Sequence, residues 1–245
     1  MERGTFGFLV IGAGRGGTSL LAGLLDSHPR LEVCLERFSV DCLMGKGLSP
    51  APLPEQCIYE RTRRFRDSCE QAAGQCPTSF WGNKITTEQL LGLEDHNRLN
   101  PISQVSVLDH FFGQAMKGLK FLFILRDGRA CVRSKVSRTG QSWENACDRW
   151  LYSVQVYEHL AQRPTDAMIV RYEDLLAAPE TTLRSTCCFL GVEYDPLMMH
   201  GTSNPKMRPE YRYGKILSEK ASPPEIDPRY VERIRPGLLR AGYPT

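Results

Sequence analysis

Residues 6–29 have the sequence FGFLVIGAGRGGTSLLAGLLDSHP, and this stretch decides the fold. It begins with an apolar run at residues 8–11, passes through a glycine-rich turn at residues 12–17, and ends in leucines that recur at helical spacing. A strand, a glycine loop and a helix in this order point successive backbone N–H groups and a helix N-terminus at an anion. The stretch therefore predicts an anion-binding loop, although a tight turn that binds nothing would have the same pattern.

This loop differs at one position from the phosphate-binding loop of nucleoside triphosphatases. On that spacing the two glycines are Gly12 and Gly17 and the final hydroxyl is Ser19, but Thr18 stands where those enzymes carry a lysine. A loop without the lysine still cradles a phosphate, but it lacks the usual cation for a β,γ-phosphate pair. Arg15, inside the loop, supplies a positive charge from a different place.

Length and composition restrict the class of protein. The 245 residues are enough for one α/β domain with a substantial core, and 41% hydrophobic with 24% charged residues is typical of a soluble globular chain. No apolar run reaches the roughly 18 residues of a membrane span, and the first strand leaves no room for a signal peptide, so we expect a cytoplasmic protein without a membrane span. The net charge of +3 is too small to predict nucleic acid binding. The nine cysteines contain no C-x-x-C pair, which favours reduced thiols and no metal site.

Strand-like apolar segments alternate with helix-like segments along the chain. The later strand candidates are residues 31–34, 80–84, 119–125 and 167–170. Helices are predicted at residues 55–73, 86–93, 105–116, 143–160, 179–190 and 228–241, with one more after Arg129, whereas residues 94–101 and 195–227 are predicted to be mostly irregular. This alternation predicts an α/β fold, a P-loop-type open parallel sheet flanked by helices on both faces, in one domain spanning residues 1–245.

A second anion-binding candidate follows the apolar run at residues 119–125. Arg126 stands at the carboxyl end of that strand, and Ser134 and Arg138 are four residues apart on one face of the next helix. Two guanidinium groups and a hydroxyl make a fork for a second phosphate. Two phosphate sites on one sheet suggest a nucleotide phosphorylated at both ends of its ribose, although solvated or paired arginines would give the same pattern.

Both loops resemble motifs of the PAPS-dependent sulfotransferases, in particular the tyrosylprotein sulfotransferases and their bacterial relatives. Residues 12–21 with 25–29 resemble the 5′-phosphosulfate loop, and residues 120–138 resemble the 3′-phosphate motif. Residues 170–175 with Pro179 resemble the downstream signature, and residues 241–243 resemble the usual ending. The resemblance extends from residue 6 to about residue 195, and the combination of motifs in this order is more specific than any one of them.

The resemblance implies a donor, a product and the residues that bind them. The donor would be 3′-phosphoadenylyl sulfate (PAPS) and the product 3′,5′-bisphosphoadenosine (PAP), with no metal required. The implied donor-binding residues are Arg15, Gly17, Thr18, Ser19, Leu20, Arg126, Ser134, Arg138, Tyr172 and, by a looser match, Ser218. The C-terminal segment has no clear counterpart of the family's lysine contact to the donor, for which Lys215 or Lys220 would substitute.

Glu36 and Lys84 complete the mechanism that the resemblance implies. Glu36 follows His28 and Pro29 at the offset of the family's general base, and Lys84 resembles the lysine that steadies the departing oxygen. Such a carboxylate would take the acceptor's proton during in-line attack on sulfur, while Arg15 would join Lys84 in stabilising the charge that grows on the leaving phosphate. An ordinary surface glutamate and a solvated lysine are the alternatives.

The sequence leaves alternatives to this function. A P-loop kinase acting on a small molecule would need a lysine elsewhere and carboxylates for magnesium, and the chain has only fragments of these. A non-catalytic nucleotide-binding domain of the same fold would keep both loops. The acceptor is open between a hydroxyl on a glycan, a lipid, a phenolic metabolite and a peptide tyrosine, and the oligomeric state is open as well.

Two groups of residues lie in the region predicted to face the acceptor. The aromatic residues Phe38, Phe80 and Trp81 favour a flat or apolar acceptor, although core packing explains them equally well. The basic cluster predicts a solvated helix face rather than a docking site. Its members are Arg61, Arg63, Arg64 and Arg66.

Overall fold

Five parallel strands form the sheet in a computed structural model of the protein, which describes residues 4–45, 57–77, 80–204 and 225–245. The strands are β1 (Thr5–Gly12), β2 (Leu31–Leu35), β3 (Phe80–Lys84), β4 (Lys120–Leu125) and β5 (Ala167–Arg171). Their order across the sheet is β2-β3-β1-β4-β5, and every neighbouring pair is parallel. The predicted open parallel sheet is confirmed.

Helices cover both faces of this sheet. In chain order they are α1 (Thr18–Asp26), α2 (Ser39–Cys42), α3 (Cys57–Gly74), α4 (Thr87–Leu91), α5 (Asp95–Leu99), α6 (Gly128–Thr139), α7 (Trp143–Ala161), α8 (Tyr172–Ala177), α9 (Pro179–Leu190) and α10 (Pro228–Arg240). Two 3₁₀ segments, Gly92–Glu94 and Pro196–Ser203, and a π-helical segment, Asp109–Ala115, are also present. In the ranges that the structure describes, none of the helices combines the length and the apolar character needed to cross a bilayer.

The strands send alternate side chains to two apolar layers. In β1, Leu9 and Ile11 pack in the layer under α3, α7 and α10, whereas Phe8 and Val10 pack in the layer under α1 and α9. All four side chains are fully buried. A parallel strand that is buried on both faces needs a continuous apolar run rather than an alternating one. This requirement is why residues 8–11 and 119–125 predict strands so strongly.

The carboxyl ends of the strands meet at one edge, and β1 lies at the point where the strand order reverses. From β1 the chain passes to β2 and β3 on one side and to β4 and β5 on the other. Val10 is in register with Lys84, and Gly12 is in register with Ile124. Open α/β sheets bind ligands at the carboxyl edge beside such a reversal. Both predicted anion loops and Lys84 therefore lie at the edge where a ligand is expected.

Three segments differ from the sequence-based expectation. Residues 94–101, predicted to be irregular, contain α5, because the Asn97 side chain exchanges two hydrogen bonds of 2.8 Å with the backbone of Val105 and so orders the turn. The segment Pro196–Ser203 is a 3₁₀ helix within the segment expected to be irregular, capped by the Asp195 carboxylate, which accepts from the N–H of Leu197. The helix α8 was not predicted.

The solvated face predicted for the basic cluster of α3 is wrong for Arg61. This side chain is buried, and its guanidinium donates to the backbone carbonyls of Cys42 and Gly92 at 3.0 Å and to that of Leu43. Buried carbonyl groups that strands and helices leave unpaired need a donor, and a guanidinium with five N–H groups can serve several of them. Arg63 does lie at the surface, where it pairs with Glu60.

Residues 241–243 pack against the start of α8. Arg171 donates to the backbone carbonyl of Ala241 at 2.7 Å, and its guanidinium lies 4.9 Å from the ring centre of Tyr243. The Tyr243 hydroxyl donates to one oxygen of Glu173 at 2.9 Å, and the other oxygen accepts the backbone N–H of Asp127 at 3.1 Å. Residues 241–243 are thereby connected to the turn that follows β4.

Candidate active site

The loop between β1 and α1 has a backbone that suits an anion. Arg15 and Gly17 have φ angles of 71° and 95°, and the N–H of Gly16 donates to the carbonyl of Ala13 at 2.8 Å, which closes the turn. A Cβ atom at Gly17 would clash with the ring of Tyr172, so this position requires glycine for both its conformation and its packing. The first N–H groups of α1 have no acceptor within the helix, and an anion at this end would accept from them.

The loop that follows β4 contacts the first loop directly. Nη1 of Arg126 donates to the backbone carbonyl of Arg15 at 3.0 Å, and the guanidinium of Arg126 lies 4.2 Å from the ring centre of Tyr172. Nε of Arg15 in turn donates to Oγ of Ser134 on α6 at 3.2 Å. The two predicted anion sites therefore share a wall instead of lying apart. Arg138 is exposed one turn beyond Ser134 on the same helix.

Asp127, between β4 and α6, has a structural role in this turn. Its carboxylate accepts the backbone N–H of Arg129 at 2.8 Å, which caps α6, and it also pairs with the guanidinium of Arg129 at 2.6 Å. Because both charges are satisfied within the turn, Arg129 is held away from the role of a phosphate ligand. The hydrogen bond also raises the pKa of Arg129.

Glu36 and Lys84 lie together at the carboxyl ends of β2 and β3. The Lys84 side chain is only 1% exposed, and its Nζ pairs with Oε1 of Glu36, whose side chain is 28% exposed. The N–H of Glu36 donates to the carbonyl of Lys84 at 2.7 Å, and Oγ of Ser39 donates to the carbonyl of Glu36 at 2.9 Å. These bonds hold Glu36 in a left-handed conformation with φ of 57°. The residues that the sequence proposes as base and cation thus form one ion pair.

Sequence reasoning missed Gln89, which contacts the same carboxylate. Nε2 of Gln89 donates to Oε2 of Glu36 at 3.1 Å, and Oε1 of Gln89 accepts the backbone N–H of Thr86 at 2.8 Å. The signal for the second contact is the T-x-x-Q spacing of a capping box at the start of α4. No local pattern indicates the first contact, because residues 36 and 89 meet only through the order of the strands.

A buried ion pair, also missed, supports the first loop. The Glu88 carboxylate accepts the N–H of Gly14 at 3.0 Å and pairs with Nζ of Lys135 on α6. The Lys135 side chain is 4% exposed and that of Glu88 is 12% exposed. Burial and the guanidinium groups of Arg149 and Arg15 lower the pKa of Lys135 to about 7. This pair connects the loop to the same helix that carries Ser134.

A cavity of about 110 Å³ lies between the loop and the Glu36–Lys84 pair. Its lining residues are Gly14, Arg15, Gly17, Thr18, Ser19, Glu36, Lys84 and Thr86. The loop residues and the acid–lysine pair, which the sequence places in separate segments, are therefore on the wall of a single space. A base, two cations and unpaired helix N–H groups around one space can hold an anionic group and remove a proton beside it.

Other predicted site residues lie outside this wall. The Leu20 side chain is buried in the apolar layer under α1, so only its backbone is available to a ligand. Trp81 and Phe80 pack against Phe6 and Phe8 and therefore belong to the core, whereas Phe38 is partly exposed beside Glu36. Ser218, Lys215 and Lys220 lie outside the described residues.

Comparison with solved structures agrees with this fold. The sulfotransferase domain from the curacin biosynthetic pathway superposes with a TM-score of 0.61 over 99% of both chains at 14% identity. A mouse sulfotransferase solved in complex with PAP superposes with a TM-score of 0.50 over 97% of this chain and 89% of that chain at 11% identity. At these identities the likeness is one of fold, and the fold is that of sulfotransferases.

Comparison at the level of sequence defines the family. The model of the Sulfotransferase family matches residues 8–196, and the chain belongs to this family. A protein-tyrosine sulfotransferase of Drosophila melanogaster is 36% identical over 207 residues, which are 77% of this chain and 38% of that protein. The chain spans between 38% and 54% of the length of the curated relatives that it matches.

Proposed function

We propose that this chain transfers a sulfuryl group from PAPS to an acceptor hydroxyl by in-line displacement. The observation that carries the proposal is the Glu36–Lys84 ion pair in the wall of the cavity that Arg15, Thr18 and Ser19 also line. A base and a cation beside an anion-binding loop are the groups that such a transfer requires. Membership of the Sulfotransferase family supports the same reaction.

The proposed donor contacts follow the two loops. The N–H groups at the start of α1, with Arg15, Gly17, Thr18, Ser19 and the backbone of Leu20, would hold the 5′-phosphosulfate. Arg126, Ser134 and Arg138 would hold the 3′-phosphate, with Tyr172 beside the nucleoside and Ser218 as a further contact. The bond between Arg126 and the carbonyl of Arg15 supports one ligand that touches both loops. PAPS has no β,γ-phosphate pair, which suits a loop with threonine in place of the lysine.

The proposed reaction exchanges one bond to sulfur for another. The acceptor oxygen forms a bond to sulfur while the bond from sulfur to the 5′-phosphate oxygen breaks, and PAP leaves. The acceptor proton passes to Glu36, which loses its partner as Lys84 turns to the departing oxygen. Lys84 and Arg15 then stabilise the negative charge that grows on the leaving phosphate. The family resemblance requires no metal for these steps.

The proposed acceptor is the hydroxyl of a peptide tyrosine. The support is the D. melanogaster relative, whose name states that it acts on protein tyrosine. Glycans, lipids and phenolic metabolites carry hydroxyl groups of the same reactivity, so they form the comparison set in the assay. We also propose a cytoplasmic location, supported by the observation that the eight cysteines with described side chains form no disulfide. Subcellular fractionation tests this location.

Donor binding is tested first, by thermal shift. PAP should raise the melting temperature, because a ligand at 100 times its Kd adds about 2.7 kcal/mol to the free energy of unfolding, whereas ATP with magnesium should not. Stabilisation by ATP with magnesium and not by PAP would favour the P-loop kinase and overturn the proposal. The proposal would also be overturned if neither nucleotide raised the melting temperature.

Turnover is tested next, with ³⁵S-labelled PAPS and a panel of tyrosine peptides, glycans, lipids and phenols. We expect transfer by the unaltered chain, and loss of transfer with retained PAP binding in Glu36→Gln and Lys84→Met. PAP binding by the unaltered chain without transfer to any acceptor would favour a non-catalytic nucleotide-binding domain.

A further inference from the structure

Gln89 has a side chain whose orientation the structure determines. The residue is 2% exposed and lies in the first turn of α4. An amide oxygen accepts and an amide nitrogen donates, and here the backbone N–H of Thr86 can only donate. Oε1 of Gln89 must therefore face Thr86, at 2.8 Å, and Nε2 must face Oε2 of Glu36, at 3.1 Å. The direction of the bond to Glu36 follows from the backbone and does not depend on a choice between two amide rotamers.

The Glu36 carboxylate is thus held at both oxygens by different side chains. Lys84 pairs with Oε1, and Gln89 donates to Oε2. The two partners differ in what the proposed reaction asks of them. Lys84 has a second task, at the departing oxygen, and its ammonium sits on a flexible stem. Gln89 is packed in the first turn of a helix, is tied to the backbone of Thr86, and has no charge to offer a leaving group.

We propose that Gln89 is a positioning residue for the base, which holds Oε2 of Glu36 so that Oε1 takes the acceptor's proton when Lys84 turns away. This inference rests on the proposed function, since it assigns a partner to the proposed base. A misplacement of about 1 Å in a reacting group can cost roughly 100-fold in rate, so a fixed carboxylate matters most in the step that leaves Lys84 engaged elsewhere.

The capping box provides a matched variant that separates this role from a structural one. Glutamate is as usual as glutamine at this position of the box, because either carries the oxygen that accepts the N–H of the cap residue. Gln89→Glu therefore keeps the bond to Thr86 and replaces only the donor that faces Glu36 with a second carboxylate oxygen. Gln89→Met removes both bonds at similar size. Gln155→Glu, at an exposed position of α7, controls for the added negative charge.

The kinetic test compares these variants in the full chain with labelled PAPS and the acceptor that the turnover assay identifies. Gln89→Glu should lose roughly 10- to 100-fold in kcat with the Kd for PAP unchanged. Its melting temperature should fall less than that of Gln89→Met, because the bond to Thr86 remains even though the new carboxylate repels that of Glu36. Gln89→Met should lose kcat and melting temperature together, and Gln155→Glu should change neither. Full kcat in Gln89→Glu would overturn the proposal, and so would a loss of PAP affinity that accounts for the loss of rate.

A second readout needs no turnover. In ¹⁵N-labelled protein, the side-chain amide signal of Gln89 is the one that disappears in Gln89→Glu. It should shift in Glu36→Ala, which removes its acceptor, and should move much less in Arg98→Gln, a surface change on α5. An unshifted signal in Glu36→Ala would overturn the positioning role while leaving the proposed reaction intact. A shifted signal in a chain that transfers no sulfuryl group would overturn the reaction and leave the contact standing.

Discussion

Arg126 donates a hydrogen bond to the backbone carbonyl of Arg15 at 3.0 Å. These arginines lead separate loops, one after β1 and one after β4, and the bond makes the loops a single wall. Each guanidinium has a further partner that offsets the repulsion between the two charges. For Arg15 this is Oγ of Ser134, and for Arg126 it is the ring face of Tyr172. A ligand with two phosphate groups would meet a surface that is already assembled.

The Arg126 side chain should contribute to donor affinity through this wall. We expect Arg126→Gln to weaken PAP binding by roughly 10- to 100-fold, the loss associated with hydrogen bonds to a charged group. Arg126→Lys should recover little, because an ammonium cannot both reach the Arg15 carbonyl and stack on Tyr172. Isothermal titration calorimetry measures both. Arg98→Gln, which removes an exposed cation paired with Asp95, is the control, and equal affinities in Arg126→Gln and Arg98→Gln would contradict the expectation.

The Glu88–Lys135 pair should be strongly coupled. Lys135→Met leaves a buried carboxylate without its cation, and losing one partner of a buried pair costs about 3–5 kcal/mol. The double variant Glu88→Gln with Lys135→Met removes both charges and should be more stable than Lys135→Met alone. Urea denaturation of the unaltered protein, of Glu88→Gln, of Lys135→Met and of the double variant gives the interaction energy of the pair. Additive single effects would show that the pair is not coupled.

Gly17 should be intolerant of any side chain for two separate reasons, and Gly140 separates them. Gly140→Ala meets only the cost of a positive φ, about 1–2 kcal/mol, since no atom lies within 4 Å of its Cβ position. Gly17→Ala adds a clash with the ring of Tyr172, which brings roughly 1–3 kcal/mol more. Thermal unfolding with and without PAP should show a larger loss at Gly17 and, only there, weaker PAP binding. Equal losses of stability at both positions would mean that the Tyr172 ring moves aside without destabilising the fold.

Stability should fall in mild acid because of His110. Burial lowers the pKa of this imidazole from its ordinary value of 6.5, and its two nitrogens contact Thr62 and Gln114. Between the lowered pKa and 6.5 the unfolded chain binds more protons than the folded chain, so the free energy of unfolding decreases as the pH falls through that window. His110→Gln should flatten the dependence. Burial also lowers the pKa of His159, so part of the slope should remain.

That experiment measures the urea midpoint between pH 5 and pH 7.5. An unchanged slope in His110→Gln would assign the acid sensitivity to other groups.

The sequence predicts the sheet because parallel strands buried on both faces need unbroken apolar runs such as residues 8–11. It predicts the first loop because the backbone of such a loop requires glycine at set positions, and Gly17 occupies one of them with a φ of 95°. The resemblance to a known family supplied Glu36 and Lys84, and the structure brings these two into contact. These features depend on neighbours in the chain or on a motif.

The contacts that complete the site depend on tertiary arrangement alone. Glu88 meets Lys135 across 47 positions, and Gln89 meets Glu36 across 53, so no periodicity or spacing signals either pair. Arg61 belongs to a cluster that composition assigns to the surface. Its side chain is nevertheless buried, where it donates to a backbone carbonyl at the end of α2. The local pattern of Asn97 gives no sign that its amide will close a turn with Val105.

The packing of residues 241–243 has a practical consequence for work on this protein. Tyr243 and the Asp127 N–H bind opposite oxygens of Glu173, so residues 241–243 are part of the corner that supports the Arg126 loop. Deleting residues 241–243 would remove this support from the Arg126 loop, and PAP binding should weaken although no residue that faces the ligand has been changed.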